Sequence, residues 1–391
     1  MSRGEDVLLR FGEGRISGVA SIFLGALSVL AVLCFHFPEY LTTPELRQSY
    51  DVEVLRGVLL GAMILSLLLG GLSLLLSSLR RSQLTTAGRL GFVGIALALA
   101  AQWMGGATVY VDDFEQPASS FGLDWLILAL LSNTLVFVFI ERIYPHRREQ
   151  RVLRRQWKLD VVYFVFNHLM VSVALLITTV FSEGLFGWAV NAQLQALIRS
   201  QPVWLQFIEV LVVADFTQYW GHRWMHESPV LWNFHAVHHC PAEMDWLSGS
   251  RMHFLEVLFT RSTVILPIYL LGFAESAINA YVVWVSVQAV LIHSNTRIEG
   301  GPLRRVFATP HFHHWHHAAD AEAIDHNYAS ALPVLDMIFG TYLGNHGRWP
   351  ERYGVVGKRL PKSFVAQHLY PFMASSDSGV RASPHSLGPD R

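Results

Sequence analysis

Charged residues and cysteines are both scarce in this chain of 391 residues. Asp, Glu, Lys and Arg together make up 15% of the sequence, against about 25% in soluble domains, and 52% of the residues are hydrophobic. This composition argues against a soluble protein. The net charge of −1 provides no basic field for nucleic acid. The two cysteines, Cys34 and Cys240, form no CxxC pair, which argues against a disulfide framework or a thiolate zinc site.

Several common enzyme motifs are absent as well. The sequence contains no G-x-S-x-G nucleophile turn, no GxxxxGK[ST] phosphate loop and no GxGxxG nucleotide fingerprint. The chain is therefore not expected to bind its own NAD or flavin. If it carries out redox chemistry, electrons must come from a partner.

Long apolar runs are frequent, and each is long enough for a membrane-spanning helix, which needs roughly 20 apolar residues. They lie at about 16–38, 54–79, 90–110, 122–141, 160–182, 204–221, 257–273 and 275–292, the last two as a hairpin. The loops alternate between basic and acidic, with Lys and Arg at the N-terminus, in the 80s loop and at 142–158. The positive-inside rule places those basic loops in the cytoplasm. The sequence thus predicts an all-α, polytopic membrane helical bundle.

Histidine is concentrated in three short motifs, one HxxxH and two HxxHH. They read "HRWMH" (222–226), "HAVHH" (235–239) and "HHWHH" (313–317). Residues three and four apart share a helix face, so each motif can present two or three imidazoles in one direction. His293 ends the last apolar run and adds a ninth candidate ligand. The predicted topology brings all of them to the cytoplasmic side, as a histidine-rich helical cap on the bundle.

Nine imidazoles are too many for one ion and fit two. Neutral imidazole binds zinc, copper, iron and nickel, but neutral donors leave the ions with a high positive charge, which favours iron and O2 activation over structural zinc. A metal-buffering tract is the simpler explanation for one such motif, although not for three with matching spacing. His253, His311 and His314 fall outside the pattern and are candidates for orienting the ligands or the substrate.

These motifs resemble the fatty acid hydroxylase / sterol desaturase superfamily of membrane di-iron enzymes. The resemblance covers roughly residues 160–345 and includes "DFTQYWGHRWMH", "NFHAVHH", "SGSRMHFLE", "TPHFHHWHH" and "DHNYASALPVLDMIFGTY". It implies two iron ions, O2 as co-substrate, and no catalytic residue beyond the metal centre. The ligands it implies are His222, His226, His235, His238, His239, His293, His313, His316 and His317. Ala289 stands where some relatives have a further histidine.

Three polar residues are expected to support these ligands. Asp215 lies seven residues before His222, near the same helix face, and could accept an imidazole N–H. Asn327 and Tyr328 match a family segment after the third motif and suggest a supporting or packing role.

We interpret the chain as an O2-dependent di-iron lipid hydroxylase that receives electrons from a small cytochrome or a ferredoxin with its reductase. A lipid desaturase with the same centre is one alternative, and a non-enzymatic membrane metal-binding protein or transporter is another. The predicted organisation is a four-span region at 1–158, a catalytic domain at 159–350 and a partly disordered tail at 351–391. The N-terminus is expected in the cytoplasm, and the sequence does not indicate an oligomeric state.

Overall fold

A computed structural model describes residues 14–43, 47, 51–79, 86–111, 122–357 and 359–373. Over these residues the regular structure is helical, and extended pairing is limited to isolated bridges of Pro145 with Thr296 and of Ala318 with Tyr353. This confirms the all-α prediction. The α-helices are α1 (Arg15–His36), α2 (Pro38–Leu41), α3 (Val52–Ser78), α4 (Thr86–Trp103), α5 (Leu123–Ile143), α6 (Trp157–Leu169), α7 (Val171–Phe186), α8 (Ala192–Arg199), α9 (Val203–Glu227), α10 (Pro229–His239), α11 (Phe254–Leu271), α12 (Glu275–His293), α13 (Pro310–His316), α14 (Val334–Phe339) and α15 (Phe364–Met373).

Within the described residues, seven helical segments are long and apolar enough to cross a membrane. They are Arg15–His36, Val52–Ser78, Thr86–Thr108, Leu123–Ile143, Val171–Ala189, Phe254–Leu271 and Glu275–His293. A polytopic membrane protein is therefore confirmed, whereas the cytoplasmic orientation stays a prediction.

Two of the eight predicted spans differ from the structure. The run at 160–182 is not one helix, because the chain breaks at Met170 between α6 and α7. The run at 204–221 lies in α9, which is not among the seven candidate spans. Polar side chains such as Gln206, Glu209 and Asp215 lower its hydropathy. Two of them bond to other segments, since Gln206 accepts from the Ala274 N–H and Asp215 from the N–H groups of residues 330–332.

The first of two compact units comprises residues 1–131 and 168–173. In it α1, α3 and α4 pack together through small residues. A Cβ atom on Gly70 would lie 2.6 Å from Ile95 Cγ1, and the Ser66 hydroxyl donates to the Ser21 carbonyl at 2.7 Å. Small side chains that let helices approach closely are a common packing device in membranes.

The second unit comprises residues 132–167 and 174–391 and contains all the histidine motifs. Helix α9 packs against α10, α11 and α12, and α12 packs against α13. An apolar cluster that includes Val210, Ala214 and Tyr281 joins α9 to α12. The predicted domain boundaries at 158 and 350 stay predictions, and residues 374–391 of the predicted tail lie outside the described residues.

Candidate metal centre

The histidine motifs lie on helices whose ends are fixed by local capping. His222 and His226 occupy the last turns of α9, and α10 begins immediately afterwards at Pro229. The Ser228 hydroxyl caps α10 by accepting from the Leu231 N–H at 3.4 Å. This short connection folds α10 back, so that its histidines face those of α9.

The third motif is presented in a similar way. Thr309 caps α13 by accepting from the Phe312 N–H at 3.2 Å, and Pro310 occupies the first turn, where its missing N–H costs no hydrogen bond. His293 is the last residue of α12. Capping and helix ends therefore bring four chain segments to one place.

The structure gathers all nine predicted ligands into two buried groups, and within each group the candidate ligand atoms lie within 4.8 Å of one another. The five-histidine group consists of His222, His226, His235, His239 and His316. The four-histidine group consists of His238, His293, His313 and His317.

Each HxxHH motif is divided between the two groups. His235 and His239, four residues apart, belong to the five-histidine group, whereas His238 belongs to the other. In the third motif His313 and His317 share the four-histidine group, and His316 belongs to the other. Each motif therefore links two sites rather than presenting its histidines in one direction, as the sequence suggested.

Backbone hydrogen bonds define the tautomers in the four-histidine group. His238 Nδ1 lies 3.2 Å from the Arg251 carbonyl, and His293 Nδ1 lies 2.7 Å from the Ala289 carbonyl. A carbonyl can only accept, so each Nδ1 carries the proton and each Nε2 carries a lone pair. These two Nε2 atoms are 3.2 Å apart. Facing lone pairs at this distance repel each other unless a cation lies between them.

The remaining members of this group complete the arrangement. His313 Nε2 lies 3.0 Å from both His293 Nε2 and His317 Nε2. A single in-plane site on His313 Nε2 cannot hydrogen-bond to both. Nitrogens at right angles and about 2.1 Å from one ion would be about 3.0 Å apart, so the observed spacing fits a shared metal ion.

The five-histidine group follows the same rule. His222 Nδ1 lies 2.6 Å from the Tyr328 carbonyl, and His316 Nδ1 lies 2.9 Å from the His326 carbonyl. Both rings therefore direct an unprotonated Nε2 inward, and that of His316 is buried without a hydrogen-bond partner. Such an unsatisfied buried acceptor is costly in the absence of a ligand.

His235 lies at the centre of the five-histidine group. Its Nδ1 is 2.7 Å from Glu256 Oε1, and its Nε2 is 3.0 Å from the Nε2 atoms of both His222 and His239. Donation to the Glu256 carboxylate fixes the tautomer and increases the basicity of Nε2, as is usual for histidines that bind metals.

Protonation is not an adequate substitute for a metal at these positions. Burial lowers the pKa of five of the imidazoles well below their ordinary range. Burial disfavours the charged form, so these rings are neutral at pH 7 and able to bind a metal. They are His238, His239, His313, His316 and His317.

Of the predicted supporting residues, Tyr328 contacts the histidines directly and Asn327 acts through the neighbouring chain. Tyr328 supplies the carbonyl for His222, and its ring lies 5.2 Å from that of His226. Asn327 adopts a positive φ of 61°. Its side chain hydrogen-bonds to the backbone of Phe312 and Leu343 and so joins three segments of the chain. It shapes the turn that positions Tyr328.

Asp215 has different partners from those expected. Its carboxylate accepts N–H groups of Ser330, Ala331 and Leu332, the last at 2.6 Å. It therefore holds the loop that follows Tyr328 and does not orient an imidazole directly.

The three histidines outside the motif pattern are buried but lie outside both groups. His253 caps α11 by accepting from the Leu255 N–H at 3.1 Å. His311 Nε2 lies 2.7 Å from the Arg348 carbonyl. His314 lies between the Ser294 carbonyl, at 3.0 Å, and the Tyr353 hydroxyl, at 2.8 Å. All three support the surrounding chain.

Two carboxylates escaped the sequence analysis. Glu256 binds His235, and Asp325 Oδ1 lies 3.7 Å from His226 Nδ1. Glu256 lies in the first turn of an apolar candidate span, where an acid is expensive and usually functional. That cost was the signal available in the sequence.

The fold and the site define a class: a polytopic membrane protein with two buried histidine groups, each of which could hold a metal ion. Comparison with known proteins agrees. The family model described as "Fatty acid hydroxylase" matches residues 207–341. This range contains all nine members of the two histidine groups. Residues 207–341 are therefore a fatty acid hydroxylase region, and the chain is similar to the oxidoreductases of that superfamily.

Individual relatives cover different shares of the chain. The chain is 29% identical to the ornithine lipid hydroxylase OlsE of Rhizobium tropici over 65% of its own length and 77% of that protein. It is 26% identical to the Delta(7)-sterol 5(6)-desaturase ERG3A of Gibberella zeae, over 60% of its length and 62% of the relative. It is 30% identical to the human alkylglycerol monooxygenase over 33% of its length, but only 28% of that relative is covered. No solved structure matches the chain.

Proposed function

We propose that this protein is an O2-dependent di-iron hydroxylase that acts on a membrane lipid. The observation that carries the proposal is the grouping of nine buried imidazoles into two sets whose Nε2 atoms converge. Iron bound in both sets would activate O2 for insertion of one oxygen atom into a C–H bond.

The residues around the centre have three tasks. The imidazoles hold the ions as neutral donors, while Glu256 and the backbone carbonyls fix the orientation of the rings. Burial of both groups excludes bulk water, which protects a reactive centre from side reactions. None of the described residues needs to act as a general acid or base on the substrate.

An apolar groove beside the centre supports a lipid substrate. It has a volume of about 580 Å³ and lies between α9 and α11, with Phe216, Trp220 and Leu266 among its lining residues. Gly221, which precedes His222 in α9, also lines it. The groove therefore extends along α9 as far as the residue next to a proposed metal ligand, and its apolar lining suits a hydrocarbon chain.

Hydroxylation is the outcome we propose, supported by the match to an ornithine lipid hydroxylase over 77% of that relative. Desaturation stays the second candidate because a sterol desaturase is also a relative. The family relationship favours either enzyme over the metal transporter considered from the sequence. We further propose that the histidine groups lie on the cytoplasmic side, where a soluble electron donor has access.

The test compares lipids from cells that express the wild type, His238→Ala or His346→Ala. We expect a lipid that has gained one oxygen atom only with the wild type and His346→Ala, since His346 belongs to neither group. Loss of two hydrogen atoms would identify a desaturase instead. Purified wild type that holds zinc without iron, or identical lipids in all three strains, would contradict the proposal.

A further inference from the structure

A basic pocket is formed by the end of α5, the segment that connects α5 to α6, and Asn295. It has a volume of about 330 Å³, and its lining includes the exposed Arg142, Arg148 and Arg151 together with Asn295. Glu141 also lines it, but that carboxylate accepts N–H groups of Trp246 and Asn295, at 2.7 and 2.9 Å. The exposed cations therefore outnumber the acid that the pocket contains.

The surrounding segment extends this positive character. Arg155 and Lys158 are exposed, and Glu149 is the one exposed acid in the described segment 142–158. Arg154 does not contribute, because it is buried in ion pairs with Asp160 and Asp245. The segment thus contains one buried arginine with a structural role and several exposed arginines that a partner could contact.

The basic pocket is fixed to the chain that leaves the four-histidine group. Asn295 lies two residues after His293, and its carbonyl accepts the His146 N–H at 3.1 Å. Its side-chain oxygen accepts the Arg147 N–H at 2.9 Å, and its side-chain amide donates to the Arg147 carbonyl at 3.1 Å. The backbone at residues 146 and 147, in the segment that carries the arginines, is therefore fixed relative to the chain that follows His293.

Aromatic rings connect the pocket to the same group. The His146 ring stacks on Trp349 with centroids 3.9 Å apart, and Trp349 lies 5.4 Å from His314. His314 directly follows the proposed ligand His313, and its Nε2 donates to the Ser294 carbonyl next to His293. Stacked and edge-on rings therefore lead from the segment that carries the arginines to His314, whose hydrogen bond to the Ser294 carbonyl continues to the residue next to His293.

A second connection runs in parallel. The Arg147 guanidinium lies 4.5 Å from the centroid of the Tyr353 ring, and the Tyr353 hydroxyl lies 2.8 Å from His314 Nδ1. Both connections converge on His314, a buried histidine that belongs to neither metal group.

We propose that the basic pocket docks a small acidic electron-transfer protein and that electrons pass through the His146–Trp349 stack to the four-histidine group. This inference rests on the proposed function. Insertion of one oxygen atom from O2 needs two electrons and two protons, with the second oxygen atom leaving as water. Two docking events, each oxidising one reduced donor by one electron, supply the two electrons, and the aqueous solvent supplies the two protons. Opposite charges steer such encounters, which need only a small interface.

Anionic lipid headgroups are the competing occupant, because Arg142 lies at the end of a candidate span and basic residues there are attracted to anionic membranes. The stacked rings behind the pocket favour the redox partner, since a headgroup site has no need of them. The choice between the two is an outcome of the experiment below.

The first arm measures binding of an acidic [2Fe–2S] ferredoxin to the full-length protein in nanodiscs of neutral lipid, with and without bound iron. The test variant is Arg148→Glu with Arg151→Glu. The control reverses the exposed Arg305 and Arg359 to Glu, which changes the net charge equally. We expect the affinity to fall at least about tenfold in the test variant alone, with a strong dependence on salt. Equal affinity of the test and control variants for ferredoxin, or no binding by the wild type, would overturn the proposal. So would a difference between the two variants that appears only when the nanodiscs are made of anionic lipid.

The second arm measures reduction of the iron-loaded protein by ferredoxin and by dithionite, which needs no docking. We expect His146→Leu to slow reduction by ferredoxin without weakening its binding, and to leave reduction by dithionite unchanged. An unchanged rate with ferredoxin would refute the proposed path. Should the protein hold no reducible iron, the proposed function fails, whereas the binding arm still decides the docking site.

Discussion

The helices α1, α3 and α4 of the first unit and the histidine-bearing helices of the second both bury polar side chains among apolar ones. In the first unit, the Ser73 hydroxyl lies 2.6 Å from the Gly14 carbonyl oxygen and 2.7 Å from that of Ala87, and it donates its one proton to either of them. Its hydrogen-bonding capacity is met by the backbone alone. In the second unit, the Nδ1 atoms of His238 and His293 are met by carbonyls, but their Nε2 lone pairs face each other.

This difference distinguishes buried polar groups that stabilise the fold of a membrane protein from buried polar groups that bind a ligand. A serine bonded to a neighbouring carbonyl completes a close helix contact and needs nothing further. A pair of unprotonated imidazole nitrogens at 3.2 Å stays unfavourable until a cation is added. The functional site is therefore recognised by what its buried polar groups still lack. Each of the following experiments tests whether that distinction holds.

Removal of a proposed ligand should have the largest effect. We expect His238→Ala and His316→Ala each to abolish lipid oxidation and to lower the iron content from about two ions per chain to about one, because they belong to different groups. Metal analysis and product analysis on the same preparations measure this. His346→Ala is the control. Full iron content and activity in either ligand variant would show that the two-group assignment is wrong.

Removal of Glu256 should weaken the centre without abolishing it. Outer residues that orient a metal-binding histidine typically change metal affinity by about 10- to 100-fold. We expect a loss of this size in Glu256→Ala and a smaller loss in Glu256→Gln, whose amide oxygen can still accept from His235. Competition with a chelator measures the affinity. The control is Glu227→Gln, which alters an exposed acid paired with Arg223. Equal affinities for Glu256→Ala and the wild type would contradict the role of the carboxylate.

The members of the two histidine groups could be predicted from the sequence because helical spacing is local. HxxxH and HxxHH mark faces of short helices, and the structure gathers the same nine histidines. Their division into two groups could not be predicted, because positions three and four residues apart point in different directions and only packing selects the partner of each. The role of Glu256 was hidden because its partner, His235, is 21 residues away. Backbone acceptors such as the Ala289 carbonyl leave no trace in a sequence.

The helical class and most of the spans could also be predicted from the sequence, since a long apolar run is a property of the segment alone. The break at Met170 and the polar face of α9 depend on tertiary structure. Asp215 illustrates the limit: its spacing from His222 suggested an imidazole partner, whereas the loop at 330–332 approaches it in three dimensions.

A neighbouring pair of glycines in α3 tests the packing of the first unit. A Cβ on Gly70 would lie 2.6 Å from Ile95 Cγ1 and 2.8 Å from the Gly91 carbonyl oxygen, whereas one on Gly71 meets nothing within 4 Å. We expect Gly70→Ala to lower the free energy of unfolding by about 1–3 kcal/mol, a typical cost of overpacking, and Gly71→Ala to leave it unchanged or slightly higher. Thermal unfolding in detergent measures both. Iron content should not change in either variant; equal stabilities would show that close helix approach is unimportant there.

The smallest effect is expected for a buried serine. Ser66 donates to the Ser21 carbonyl at 2.7 Å and Ser21 donates to the Ser66 carbonyl at 2.7 Å, so the two residues exchange hydrogen bonds between α1 and α3. Removal of one such bond within a membrane typically costs about 0.6 kcal/mol, because the freed carbonyl still has its own helical partner. We therefore expect Ser66→Ala to lower the free energy of unfolding by about this amount, without loss of iron or activity. Ser78→Ala is the matched control, since the Ser78 hydroxyl is exposed and bonds only to its own helix, at the Leu75 carbonyl. A loss of iron in Ser66→Ala would contradict this distinction between the two units. A serine whose hydrogen bonds are complete within the fold should stabilise helix packing and have no effect on metal binding.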